Sequence, residues 1–178
     1  HRRSFEGGDG RTTTDRLELI CGLLQSRQLH PWSKIAKREI WTRVRFPEGR
    51  CFEDVATIPA LVDGVSSWRH VPSPWVGYRK RGDSIVATKT PDNVRDMLWA
   101  LRSLRDGLAG LPHGLNARAW TTLDYFCLRT LANLARSVPR NDTQLDAECR
   151  EVSADVLSQS PRQVLVACFR RGWWLRAW

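Results

Sequence analysis

Arg45-Phe46-Pro47-Glu48-Gly49-Arg50-Cys51-Phe52-Glu53-Asp54-Val55 is the stretch on which the reading of the chain turns. Pro47 and Gly49 mark a turn, so Val44-Arg45-Phe46 reads as the end of a strand. Glu53-Asp54 then opens a helix over 53–65. Val55, Ile58, Leu61 and Val62 recur at helical spacing and form its buried stripe. Two carboxylates in a first turn suit the positive end of the helix dipole.

Upstream, Thr14-Asp15 is a cap signal for a helix carrying Leu17, Ile20, Cys21 and Leu24 on one face and running to about Gln28. Pro31 is expected to stop it. Residues 31–40 mix a short extended piece with a helical turn, and 1–14 read as a polar, Gly-rich loop. Downstream, Trp68 to Tyr78 looks extended, with Pro72 and Pro74 as punctuation. It leads into the basic loop Arg79-Lys80-Arg81-Gly82-Asp83-Ser84-Ile85. From Pro91 the pattern is helical. One helix buries Val94, Leu98, Leu101 and Leu104 and is expected to end at Gly107, Gly110 and Pro112. Others cover about 116–137, 142–158 and 162–176.

The 178 residues suit one domain or a little more, and 42% hydrophobic content supports a core. No run approaches the ~20 apolar residues of a membrane span. His1-Arg2-Arg3-Ser4 does not lead into the apolar stretch of a secretory leader. The net charge of +9 comes mainly from 24 Arg against 4 Lys. Arg grips phosphate and carboxylate in two-pronged fashion, so the excess fits an anionic partner as well as a compositional bias towards Arg. The five Cys are odd in number and form no C-x-x-C, and the four His never pair at helical spacing. Neither a zinc ribbon nor a His-based metal site is indicated.

Taken together, an ordered series stands out. It is Trp32-x-Lys34, then Arg45-Phe46-Pro47-Glu48-Gly49, then Glu53-Asp54, then Tyr78-Arg79-x-Arg81-x-x-Ser84-Ile85. Each piece alone is a weak signal. In this order and spacing, over about residues 15–90, the series resembles the catalytic half of family 2 nucleotide-sugar glycosyltransferases, especially bacterial ones that build surface polysaccharides. The resemblance implies an α/β fold, the C-terminal part of a GT-A-like domain, mostly helical with a few short strands near 43–46 and 74–79. It divides the chain into residues 1–90, the C-terminal half of a catalytic domain, and residues 91–178, a helical extension.

Inverting glycosyl transfer needs a carboxylate to take a proton from the attacking hydroxyl. It also needs positive charge around the departing diphosphate. By resemblance, Asp54 is that base and Glu53 its neighbour. Arg79 and Arg81 lie near the donor diphosphate, with Ser84 as a supporting hydrogen-bond donor. Lys34 lines the acceptor or phosphate side, or anchors local structure. Some relatives carry a His in the basic loop, where this chain has Gly82-Asp83.

The family also holds a divalent metal, Mg or Mn, and the nucleotide through an Asp-x-Asp near the end of a nucleotide-binding N-terminal half. No Asp-x-Asp and no phosphate-binding glycine loop occur here. The expectation is the C-terminal portion of a longer cytoplasmic enzyme, at the inner face of the membrane, with the metal ligands outside these residues. Its partners would be a nucleotide-sugar donor and a glycan or lipid-linked acceptor, and the isolated chain should not turn over.

The end of the chain, Phe169-Arg170-Arg171-Gly172-Trp173-Trp174-Leu175-Arg176-Ala177-Trp178, mixes Arg and Trp. It suits peripheral contact with an anionic membrane as well as simple packing of a terminal helix. The alternative functions are a basic nucleic-acid-binding module and a non-catalytic interaction module. The nucleic-acid reading is weakened because the basic residues are spread through the helices and carry no recognition signature.

Overall fold

The computed structural model describes residues 10–73, 76–77, 90–139 and 141–170. Among them helices dominate. They are α1 (Arg16–Ser26), α2 (Arg38–Arg43), α3 (Glu53–Gly64), α4 (Pro91–Ala109), α5 (Ala117–Ala135), α6 (Thr143–Val156) and α7 (Pro161–Arg170). A 3-10 turn spans Pro31–Ser33. The described strands are β1 (Thr12–Thr13) and β2 (Trp68–Arg69), paired antiparallel with Thr12 opposite Arg69.

The helix starts follow local chemistry. Asp15, Thr90, Asn116 and Asp142 each accept a hydrogen bond from the backbone N–H three residues on, which satisfies one orphan donor of the first turn. At α7, Ser160 and Gln163 form a reciprocal capping box. Gln163 Oε1 accepts from Ser160 N at 2.9 Å, and Ser160 Oγ accepts from Gln163 N at 3.4 Å.

The core is one continuous cluster. It includes Ile20 and Leu24 of α1, Ile58 and Val62 of α3, Leu101 and Leu104 of α4, Leu123 of α5 and Leu145 and Val156 of α6. Residues on both sides of position 90 contribute to it. Helix α3 lies against α4, α1 against α5, and α4 and α5 both against α6, while α7 rests on α5. Each amphipathic helix thereby covers the apolar stripe of another.

Four expectations need correction. Residues 43–46 form no strand. Helix α2 runs to Arg43 and Val44 is extended but unpaired, its side chain buried in the core. Ile40 and Trp41 explain this, because helical backbone turns both towards the apolar cluster. Secondly, α1 stops before Pro31. Arg27 adopts a left-handed conformation (φ 57°), and its N–H reaches back to the carbonyls of Leu23 and Leu24. Thirdly, Thr12–Thr13 of the expected N-terminal loop is a strand. Fourthly, Gly107 lies in the last turn of α4 rather than after it, while Gly110 caps the helix end as expected. The expected strand at 74–79 and the end of the expected helix 162–176 fall mainly outside the described residues.

Candidate functional site

Asp54 is the second residue of α3. What brings it there is the turn before it. Phe52 occupies the position preceding the helix with φ 63°, a conformation that reverses the chain abruptly. The turn is tied down from across the fold by Asp96 of α4. Asp96 Oδ2 accepts from Cys51 N at 2.9 Å, and Oδ1 lies 3.5 Å from Arg50 Nη1. The Arg50 guanidinium covers the ring of Trp99, 4.8 Å from its centroid. The 47–52 turn therefore presents Glu53-Asp54 from a fixed platform.

Around Asp54 the chain gathers residues from the α1–α2 connection. His30 Nδ1 lies 2.9 Å from Asp54 Oδ2, and Asp54 Oδ1 accepts from Val55 N at 2.8 Å. The His30 ring stacks on Trp32, centroids 5.0 Å apart and planes 7° from parallel. The Asp54 side chain is 17% exposed and that of His30 45%. With Asp54 ionised, Nδ1 is the proton-bearing nitrogen of this contact. The arrangement is an oriented carboxylate–imidazole pair at a helix N-terminus, capable of taking up a proton.

Lys34 completes the group. Its Nζ donates to Gln28 O at 2.7 Å, to His30 O at 2.8 Å and to Ser33 Oγ at 3.2 Å. All three N–H bonds are occupied, so Lys34 clasps the 28–34 loop in this structure. Burial lowers its pKa from the usual 10.5 to about 8, against the opposing pull of the nearby Asp54 charge. The structure thus brings together Trp32, Lys34 and Asp54, which the sequence analysis had picked out, and adds His30, which it had not. His30 lies four residues before Lys34 in a Pro-containing loop, and no spacing rule joins it to Asp54.

Glu53 begins α3 beside Asp54. Arg79, Arg81 and Ser84 lie outside the described residues. Among the described residues no three His, Cys, Asp or Glu side chains converge as a metal site, so nothing described fits the divalent ion that the resemblance implies. Two surface depressions, of about 400 and 380 Å³, lie at the α6–α7 turn and at the start of α6 respectively. Neither borders Asp54. Cys127 is no candidate nucleophile, because burial first, and the Asp124 charge second, push its thiol up to about 12.

A second polar group lies in the core and is structural. Asp124 of α5 is fully buried. It accepts from Ser158 N at 2.9 Å and from Ser158 Oγ. Arg105 Nη1 of α4 stands 3.6 Å from Asp124 Oδ1 and donates to Val156 O at 2.8 Å, and its guanidinium covers Trp120. The network ties α4 and α5 to the end of α6. Among the described residues no helix is long and apolar enough to cross a membrane. Comparison of the chain with protein-family models, with curated proteins and with solved structures returned no match.

Proposed function

We propose that these residues form part of an inverting glycosyltransferase with a GT-A-like catalytic domain. It would move a sugar from a nucleotide-sugar donor to a polysaccharide or lipid-linked acceptor. The observation that carries the reading is the His30–Asp54 pair at the start of α3, framed by Trp32 and Lys34. Of the ordered residues that resemble the family, Trp32, Lys34 and Asp54 are thereby neighbours in space through His30.

In this reading Asp54 takes the proton of the acceptor hydroxyl as its oxygen attacks the anomeric carbon. His30 holds the carboxylate in one orientation, and Lys34 clasps the loop that carries His30. Arg79, Arg81 and Ser84 are proposed to face the departing diphosphate. The nucleotide-binding half is proposed to lie in a longer polypeptide, so the 178 residues alone should not transfer sugar.

A nucleic-acid-binding module is disfavoured because the basic residues are spread through the helices and carry no recognition signature. Arg11, Arg16, Arg50, Arg95, Arg102, Arg105 and Arg150 are in addition engaged by carboxylates. The test is transfer from sugar nucleotides by the product of the whole reading frame containing these residues. Asp54→Asn should reduce transfer by about 10²–10⁴-fold. Undiminished transfer by that variant, or robust transfer by the isolated chain, would sink the reading.

A further inference from the structure

Helix α7 buries part of its apolar set and displays the rest. Val164 and Cys168, each 1% exposed, face inwards. Phe169 is 69% exposed, Leu165 49% and Val166 44%. At about 100° per residue, Leu165, Phe169, Arg162, Val166 and Arg170 all fall within one half of the helix circumference. That half interleaves large apolar groups with two guanidinium groups. No acidic residue occurs anywhere from Pro161 to Trp178, and the sequence beyond the helix continues with Arg171, Trp173, Trp174, Arg176 and Trp178.

We propose that the outward face of α7 rests on an anionic lipid surface, with Phe169, Leu165 and Val166 entering the headgroup–acyl boundary. Arg162 and Arg170 then meet lipid phosphates. Charge selects this occupant. A two-fold contact between copies of α7 would set Arg162 and Arg170 against Arg170 and Arg162, with no carboxylate on the helix to offset them. A bilayer with acidic headgroups supplies both an apolar layer and negative charge at the required depth. The proposal stands independently of the chemistry assigned to Asp54.

Vesicle flotation of the full 178-residue chain tests it. Vesicles of phosphatidylglycerol mixed with phosphatidylcholine should carry the chain to the top of the gradient, and pure phosphatidylcholine vesicles should leave most of it behind. The double variant L165S/F169S should lower partitioning by about tenfold or more, because it removes two interfacial apolar anchors. R162E/R170E is the second probe, for use if the first variant loses its helical circular-dichroism signal. It should abolish the preference for acidic lipid while leaving the core untouched. Failure to float with acidic vesicles overturns the proposal. So does equal flotation with both vesicle types, or a dimer in analytical ultracentrifugation that L165S/F169S dissociates. Loss of binding on deleting residues 171–178, with no effect of the α7 substitutions, would assign the contact to the tail and also overturn it.

Discussion

Gly107 of α4 lies directly against the ring of Pro59 of α3. A Cβ at position 107 would stand 2.6 Å from both Cβ and Cγ of that ring. Two features that weaken isolated helices, a Gly in the last turn of α4 and a Pro inside α3, are thus halves of one contact. Absence of a side chain on α4 lets α3 approach closely enough to share the core, and α3 carries Asp54 at its other end. On an exposed helix Gly→Ala would add about 1 kcal/mol of stability. Here the ring cannot move aside as a flexible side chain would, so overpacking of about 1–3 kcal/mol should win. G107A is therefore expected to lower the urea midpoint. A midpoint equal to or above wild type would show that the helices separate at little cost.

The buried Asp124 should be the most sensitive polar position. D124A leaves the partly buried Arg105 without its carboxylate and removes both acceptors of Ser158. A loss of about 3–5 kcal/mol is expected. S158A removes one hydroxyl donor and should cost about 1 kcal/mol. Equilibrium urea unfolding at neutral pH reads both, and near-equal effects of the two substitutions would contradict the assigned network.

Lys34 should report its burial directly. Its Cε resonance is expected to titrate near pH 8, because burial opposes its charge. Folded Lys34 binds fewer protons than unfolded Lys34 between about 8 and the ordinary 10.5. Unfolding in that window takes up a proton, so this residue makes stability rise with pH there, with the burial penalty at full strength below about 8. Relative to K34M, the wild-type chain should gain stability over that window. A parallel pair of stability–pH curves would show that Lys34 is solvated.

Asp54 and Lys34 can be tested as neighbours in the isolated chain, without any catalytic assay. The Asp54 carboxylate raises the Lys34 pKa, so D54N should move it below about 8. Two-dimensional carbon NMR of labelled lysine measures the shift. An unchanged or higher value would place the carboxylate too far away to act on the ammonium.

Periodicity and capping carried most of the fold. Asp15, Pro91 and the stripe Val55–Ile58–Leu61–Val62 could be read from the chain because a cap and an i, i+3, i+4 pattern are local properties. Residues 38–46 could not. Six residues of helix have too few repeats to declare a period, and Val44 mimics a strand residue while serving the core. Gly107 was opaque for a related reason. Sequence shows a helix breaker, whereas the proline ring that makes glycine necessary is 48 positions away.

By itself the sequence determined the longer helices and where they start, their apolar stripes and the position of Glu53-Asp54 at a helix N-terminus. These depend on neighbours within a few residues. Only the tertiary structure decided that His30 bonds Asp54 and that Asp96 clamps the preceding turn. Those pairings join segments whose separation along the chain is set by how helices pack, and no local pattern encodes which polar groups packing will bring within 3 Å.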